Sequence, residues 1–146
     1  MKINNIWDNN KVTNQIDIIS HPLNEHIVEN MHECLKKSKK ISVIEIKSSR
    51  NVLIQLSDIE VITSLGHLSQ ISTSEGKKYY FNKKLKELTY LEKHLFYRIN
   101  QSTILNVDDI ISFNVSANSR LEVVTKKQNT YLVSRHYAKN IKERLS

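Results

Sequence analysis

The chain has 146 residues, 22 Lys plus Arg against 15 Asp plus Glu, and a formal charge of +7. That length suits one domain, or one domain with a short appendage, and the basic excess favours a polyanionic partner, nucleic acid before an anionic membrane surface. Two glycines exclude a Gly-rich phosphate cradle, a single cysteine excludes an intrachain disulfide, and the lack of an apolar run of spanning length or a signal-peptide core points to a cytoplasmic protein.

In chain order, residues 2–7 and 13–19 read as two short strands, with Asp8, Asn9 and Asn10 supplying turn chemistry between them. Pro22 suits the first turn of a helix over 22–37, in which Leu23, Ile27, Met31, Cys34 and Leu35 recur at helical spacing and predict one buried stripe. Glu25, Glu29 and Glu33 load its early and middle turns and Lys36, Lys37, Lys39 and Lys40 its end, an order that complements the helix dipole. The lysine cluster reads as a solvated helix end and linker. Residues 1–40 hold six lysines against five acids, whereas 41–146 hold sixteen basic residues against ten acids, so the expected boundary lies near residue 40 and the anion-binding unit is 41–146.

From Ile41 the pattern is that of strands: 41–47 and 51–56 as a hairpin, then 60–65, 67–73 and 77–81, with Gly66 and Gly76 at chain reversals. Asn82 is the expected N-cap of a helix to about His94, with Leu85, Leu88, Leu91 and Leu95 on its apolar side. Strands at 110–116, 120–126 and 130–134 follow, and Ser134 is the expected cap of a last helix, Arg135–Leu145.

Between them, Phe96–Asn106 has apolar ends (Phe96, Ile99, Ile104, Leu105) and a polar middle (Arg98, Asn100, Gln101, Ser102), the composition of a turn anchored in a core and displayed to solvent. Asn and Gln offer an adenine edge a donor and an acceptor together. Arg135 carries a planar fork suited to guanine, and Leu65-Gly66-His67 is a tight reversal presenting an imidazole. No nucleophile elbow is present. His21, His26, His32 and Cys34 fall on different helix faces and do not make a metal site, and the adjacent Asp108 and Asp109 suit turn capping rather than acid–base chemistry. No cofactor and no enzymatic activity are expected.

Phe96 through Ile110, read as F-x-R-I-x-x-S-x-I-x-N-x-x-x-I, followed by R-L-E-V and by Val133-Ser134-Arg135-x-Tyr137, resembles the LytTR DNA-binding domain of bacterial transcription regulators over about Ile41–Leu145. The resemblance implies a mainly β fold, an elongated sandwich of three small antiparallel sheets with short helices, preceded here by a strand-helix appendage (1–40). It implies loops, not a recognition helix, entering successive major grooves of double-stranded DNA. Carried over by position, base contacts fall on His67, Asn100 or Gln101, and Arg135, and phosphate contacts on Arg98, Ser102, Asn106, Arg120, Ser134 and Lys139. Gln101 departs from the Asn of some members, and its longer reach alters the expected base step.

Some forty residues are too few for a receiver domain, so the chain resembles stand-alone LytTR regulators, which are often restrained by a membrane protein. The expected state is a homodimer on repeated sites, with the 22–37 helix as the dimerising or regulatory contact. The alternative is a LytTR-like interaction module that sequesters another regulator without specific DNA binding.

Overall fold

Residues 1–13, 15–36 and 39–146 are described by the computed structural model, apart from the side chains of Glu33 and Lys36. The chain divides into two units, Met1–Lys37 and Ser38–Ser146, each taken by itself below.

In the first unit, Pro22 opens a 3-10 turn, Pro22–Asn24, that leads into α1 (Glu25–Lys36), and the His21 ring nitrogen accepts the Leu23 N–H at 3.2 Å. The expected reversal near Asp8 forms, the Asp8 carboxylate accepting the Asn10 N–H at 2.9 Å. The two expected strands do not form in residues 2–7 or in the described part of 13–19; Asn14, and Lys37 of the basic helix end, lie outside the described residues. Two short strands with no third to pair on are marginal in water. The apolar stripe expected over 22–37 is not buried either: Leu23 in the 3-10 turn is 79% exposed, Met31 46% and Leu35 73%, and Ile27 is only half-buried.

The second unit is built of ten strands: β1 (Lys40–Glu45), β2 (Asn51–Gln55), β3 (Ile59–Leu65), β4 (Leu68–Thr73), β5 (Lys78–Phe81), β6 (Phe96–Asn100), β7 (Thr103–Asn106), β8 (Ile110–Val115), β9 (Leu121–Thr125) and β10 (Thr130–Val133), closed by α2 (Arg135–Leu145). All pairings are antiparallel, in a seven-stranded sheet of order β2-β1-β5-β4-β3-β7-β6 and a three-stranded sheet of order β10-β9-β8. The β1–β2 hairpin joins the larger sheet only through Ile44 opposite Tyr80 and Glu45 opposite Tyr79. This short seam merges two of the three sheets that the resemblance implied.

Strands β3, β7 and β6 serve two cores, because successive side chains leave a strand on opposite faces. Ile59, Ile62, Phe96 and Ile104 pack in one core with Val43, Ile71 and Phe81. Val61, Tyr97, Ile99 and Leu105 pack in the other with Leu121, Val123, Val133 and Ile141, so β9, β10 and α2 cover that face. Fully burying a side chain of this size is worth about 1.5–3 kcal/mol.

The leucine-rich stretch departs from the expected α-helix. It folds as two 3-10 turns, Leu85–Glu87 and Thr89–His94, with the Lys84 N–H donating to Glu87 Oε2 at 2.7 Å and no capping role for Asn82. Leu85, Leu88 and Leu91 lie three residues apart, the repeat that a 3-10 turn places on one side, and all three are buried. Leu95, four residues on, falls off that repeat and is 43% exposed.

Candidate nucleic-acid interface

Thr63 pairs with Thr103 across β3 and β7, and one residue further on the Ser64 N–H donates to the Ser102 carbonyl at 2.9 Å. That register puts the Gly66-His67 reversal, which joins β3 to β4, at the same end of the sheet as the Gln101-Ser102 turn, which joins β6 to β7. Gly66 takes φ +61°, a left-handed conformation that glycine adopts freely, and it hands His67 out to solvent.

The last helix arrives beside them because the Ser134 N–H donates to the Ile99 carbonyl at 2.8 Å, one residue before Asn100. A fourth reversal, Ser116–Arg120, lies at this end as well. Val115 pairs with Leu121, which pairs with Val133, so Arg120 and Ser134 follow as neighbours just past the ends of β9 and β10. Sequence reasoning picked out Arg120 but did not count its turn among the converging reversals. The alternation of Leu121, Val123 and Thr125 carried the signal, since it fixes where β9 begins.

Within this rim the predicted residues differ in what they are free to do. The Asn100 side-chain carbonyl accepts the Ser102 N–H at 2.9 Å and the Ser102 hydroxyl at 3.1 Å, so Asn100 and Ser102 shape the turn. Gln101 at its tip is exposed and makes no side-chain hydrogen bond to any described residue. The same holds for His67 and Arg135, and the Arg120 guanidinium forms no ion pair among the described residues. Ser134 stands at the N-cap position of α2, and its carbonyl accepts from Tyr137 and Ala138 at 3.0 and 2.9 Å. Its hydroxyl makes no capping bond, which leaves it available to an outside acceptor.

Lys139 lies one turn beyond Arg135 on the same face of α2, and Arg98 is half-buried on β6, two residues before Asn100. His136 is exposed beside Arg135 and sits edge-on to Tyr137 at 4.8 Å.

Asn106 does not belong to this set. It is 4% exposed and ends β7 at the opposite end from Ser102, where its amide donates to the Ile59 carbonyl at 3.0 Å and its side-chain oxygen accepts the Asp108 N–H at 3.1 Å. Buried at the far end of β7, with its amide and its side-chain oxygen each bonded inside the protein, Asn106 has a structural role in place of the expected phosphate contact.

The same far end holds buried acids. Glu60, 3% exposed, accepts from the Thr125 hydroxyl and from Asn129 Nδ2 at 3.0 and 3.2 Å. Burial pushes the Asp109 carboxyl above its ordinary pKa, Lys126 at 3.8 Å opposes that rise in part, and one Asp109 oxygen has no hydrogen-bond partner among the described residues. These groups brace the end away from the rim. Among the described residues no helix is long and apolar enough to cross a membrane.

The profile of the LytTr DNA-binding domain family matches residues 49–146. The whole chain aligns, at 29% identity and over 99% of the relative's length, with an uncharacterized HTH-type transcriptional regulator of Staphylococcus aureus strain N315. An uncharacterized HTH-type regulator of the bovine strain RF122 aligns at 25% identity over the same shares of both chains. Among solved structures, the fold is similar to the LytTr DNA-binding domain of a protein described as a methyl-accepting/DNA response regulator from Bacillus cereus, with a TM-score of 0.63 at 20% identity over 75% of this chain and 98% of that one.

The name carried by the staphylococcal relatives denotes a helix-turn-helix. The described residues of the second unit contain a single α-helix, so that motif is not what this fold offers. With two thirds of its length matched by the family profile, the chain belongs to the LytTr DNA-binding domain family.

Proposed function

We propose that the protein binds double-stranded DNA sequence-specifically, as a transcription regulator in the cytoplasm, by setting the rim of its second unit into the major groove. The observation that carries this reading is the common end of four reversals bearing His67, Gln101, Arg120 and Arg135, whose polar ends make no hydrogen bond or ion pair with any described residue. A turn held by Asn100 and Ser102 gives Gln101 a fixed base on which to read an adenine edge, and Arg135 has the geometry for guanine O6 and N7.

Arg98, Arg120, Lys139 and the Ser134 hydroxyl then serve the phosphates, which supply most of the affinity by counterion release. Two copies occupy neighbouring repeated sites, the arrangement under which short loops read enough bases to be selective.

Titrating the full chain against its own upstream region and a scrambled duplex at several salt concentrations tests this. The expected result is binding at least about a thousandfold tighter to the specific duplex near physiological salt. Equal, salt-labile binding to both duplexes contradicts it.

A further inference from the structure

Lys39, read from the sequence as part of a solvated helix end, is held at the mouth of a cleft. The Leu56 N–H donates to its carbonyl at 2.8 Å, and its ammonium stands 3.3 Å from His94 Nε2. Lys93 adjoins at the end of the Thr89–His94 turn, and Ser57, Phe96 and Asp108 are among the other residues that line a cavity of about 270 Å³. Fifty-five residues separate Lys39 from His94, so the cluster is a product of the fold and not of a local charge run.

Gathering like charges costs free energy unless a counter-charge offsets it. Among the described residues no carboxylate comes within ion-pair distance of Lys39 or Lys93, and Asp108, which lines the same cleft, pairs with neither. Desolvation first, then Lys39 and Lys93, lower the His94 pKa, which favours the neutral ring, the form whose Nε2 can accept from the Lys39 ammonium. The chain leaves the cluster through Leu95 at φ +69°, a left-handed conformation rarely adopted by a bulky residue. The cleft borders Phe96 and Asn106, whereas Asn100 and Thr103, at the other ends of the same two strands, border the rim.

We infer that the Lys39–Lys93–His94 cleft is a binding site for a small phosphoryl anion, either a free phosphorylated metabolite or a phospholipid headgroup, at the end of the unit away from the DNA-contacting rim. Two ammonium groups supply the charge-assisted hydrogen bonds that a tetrahedral oxyanion takes. A bound dianion also reverses the electrostatics at His94, so occupancy draws a proton onto the ring.

The test titrates inorganic pyrophosphate into the full chain at 150 mM salt while the His94 ring resonances are followed by NMR. The expected result is a saturable shift and a His94 titration midpoint raised by about one pH unit, the size of effect an adjacent opposite charge produces. Lys39→Gln with Lys93→Gln weakens binding at least about tenfold, the loss expected from two charge-assisted contacts. Asp108→Asn tightens it, and Arg135→Ala leaves it unchanged while impairing duplex binding, which separates this site from the rim.

Vesicles of phosphatidylglycerol, set against phosphatidylcholine, distinguish the sources. Lysine-dependent retention on the former assigns a lipid headgroup, and lysine-dependent pyrophosphate binding without retention assigns a soluble ligand. Absence of both, or pyrophosphate binding lost with Arg135 and kept without the two lysines, overturns the inference.

Discussion

The Ser134 backbone N–H donates to the Ile99 carbonyl at 2.8 Å, and this one bond joins the entry of the last helix to the turn that carries Gln101. Because both partners are backbone groups, the pairing is set by the fold and does not depend on the identity of the side chains displayed around it. The side chains displayed on the rim can therefore change without moving the frame.

Arg135→Ala is expected to lose about 1–3 kcal/mol of discrimination at one base pair, while Lys139→Ala weakens all duplexes alike and lowers the salt slope by about one. Titrations of both variants against specific and scrambled duplexes across salt check this. Equal loss on both duplexes for Arg135→Ala refutes its reading role.

Gln101→Ala and Asn100→Ala should fail in different ways. The first leaves thermal stability unchanged and relaxes selectivity at one position. The second removes the acceptor for the Ser102 N–H and hydroxyl, costs about 0.5–1.5 kcal/mol of stability, and weakens binding because the tip is no longer held. Denaturant midpoints alongside binding curves distinguish them.

Asn106→Ala is expected to destabilise the second unit by about 1–3 kcal/mol, since it leaves the buried Ile59 carbonyl and the Asp108 N–H without their partner. Duplex affinity of the fraction that remains folded should be unchanged. A selective loss of affinity at wild-type stability would return Asn106 to the DNA contacts.

The Asp109 carboxyl has a folded pKa raised by burial, so folding favours its neutral form. Its contribution to stability is full below the unfolded-state pKa and is lost as pH rises through the higher folded one. Asp109→Asn should therefore match wild type at low pH and gain on it as pH rises, measured as the difference in unfolding midpoint across the titration. A constant difference would show that the group does not titrate differently on folding.

Much of the second unit was legible because its signals are local. The alternation in β9 marks Leu121, Val123 and Thr125 as inward, and the periodic face of α2 runs over the expected Arg135–Leu145. The leucine stretch misled because a spacing of three or four residues is shared by α and 3-10 geometry, and only the burial of Leu85, Leu88 and Leu91 against Leu95 decides between them.

Asn106 misled for the opposite reason. An amide in a strand reads as solvent-facing until its two partners, Ile59 from another strand and Asp108 from the next turn, are known. The rim itself depends on pairings such as Ser64 with Ser102 that no window of sequence contains, so side-chain chemistry marked His67, Gln101 and Arg135 one at a time, and their assignment as base contacts was carried over from the family resemblance. The Lys39–His94 cluster is equally non-local and had no resemblance to point to it.

Backbone amide NMR of the full chain during titration with its specific duplex tests the central claim most directly. Large shifts confined to residues 66–68, 100–102, 117–120 and 134–139 are expected. Shifts concentrated instead around 57–60, 74–76 and 106–109, at the other end of the same strands, would contradict it.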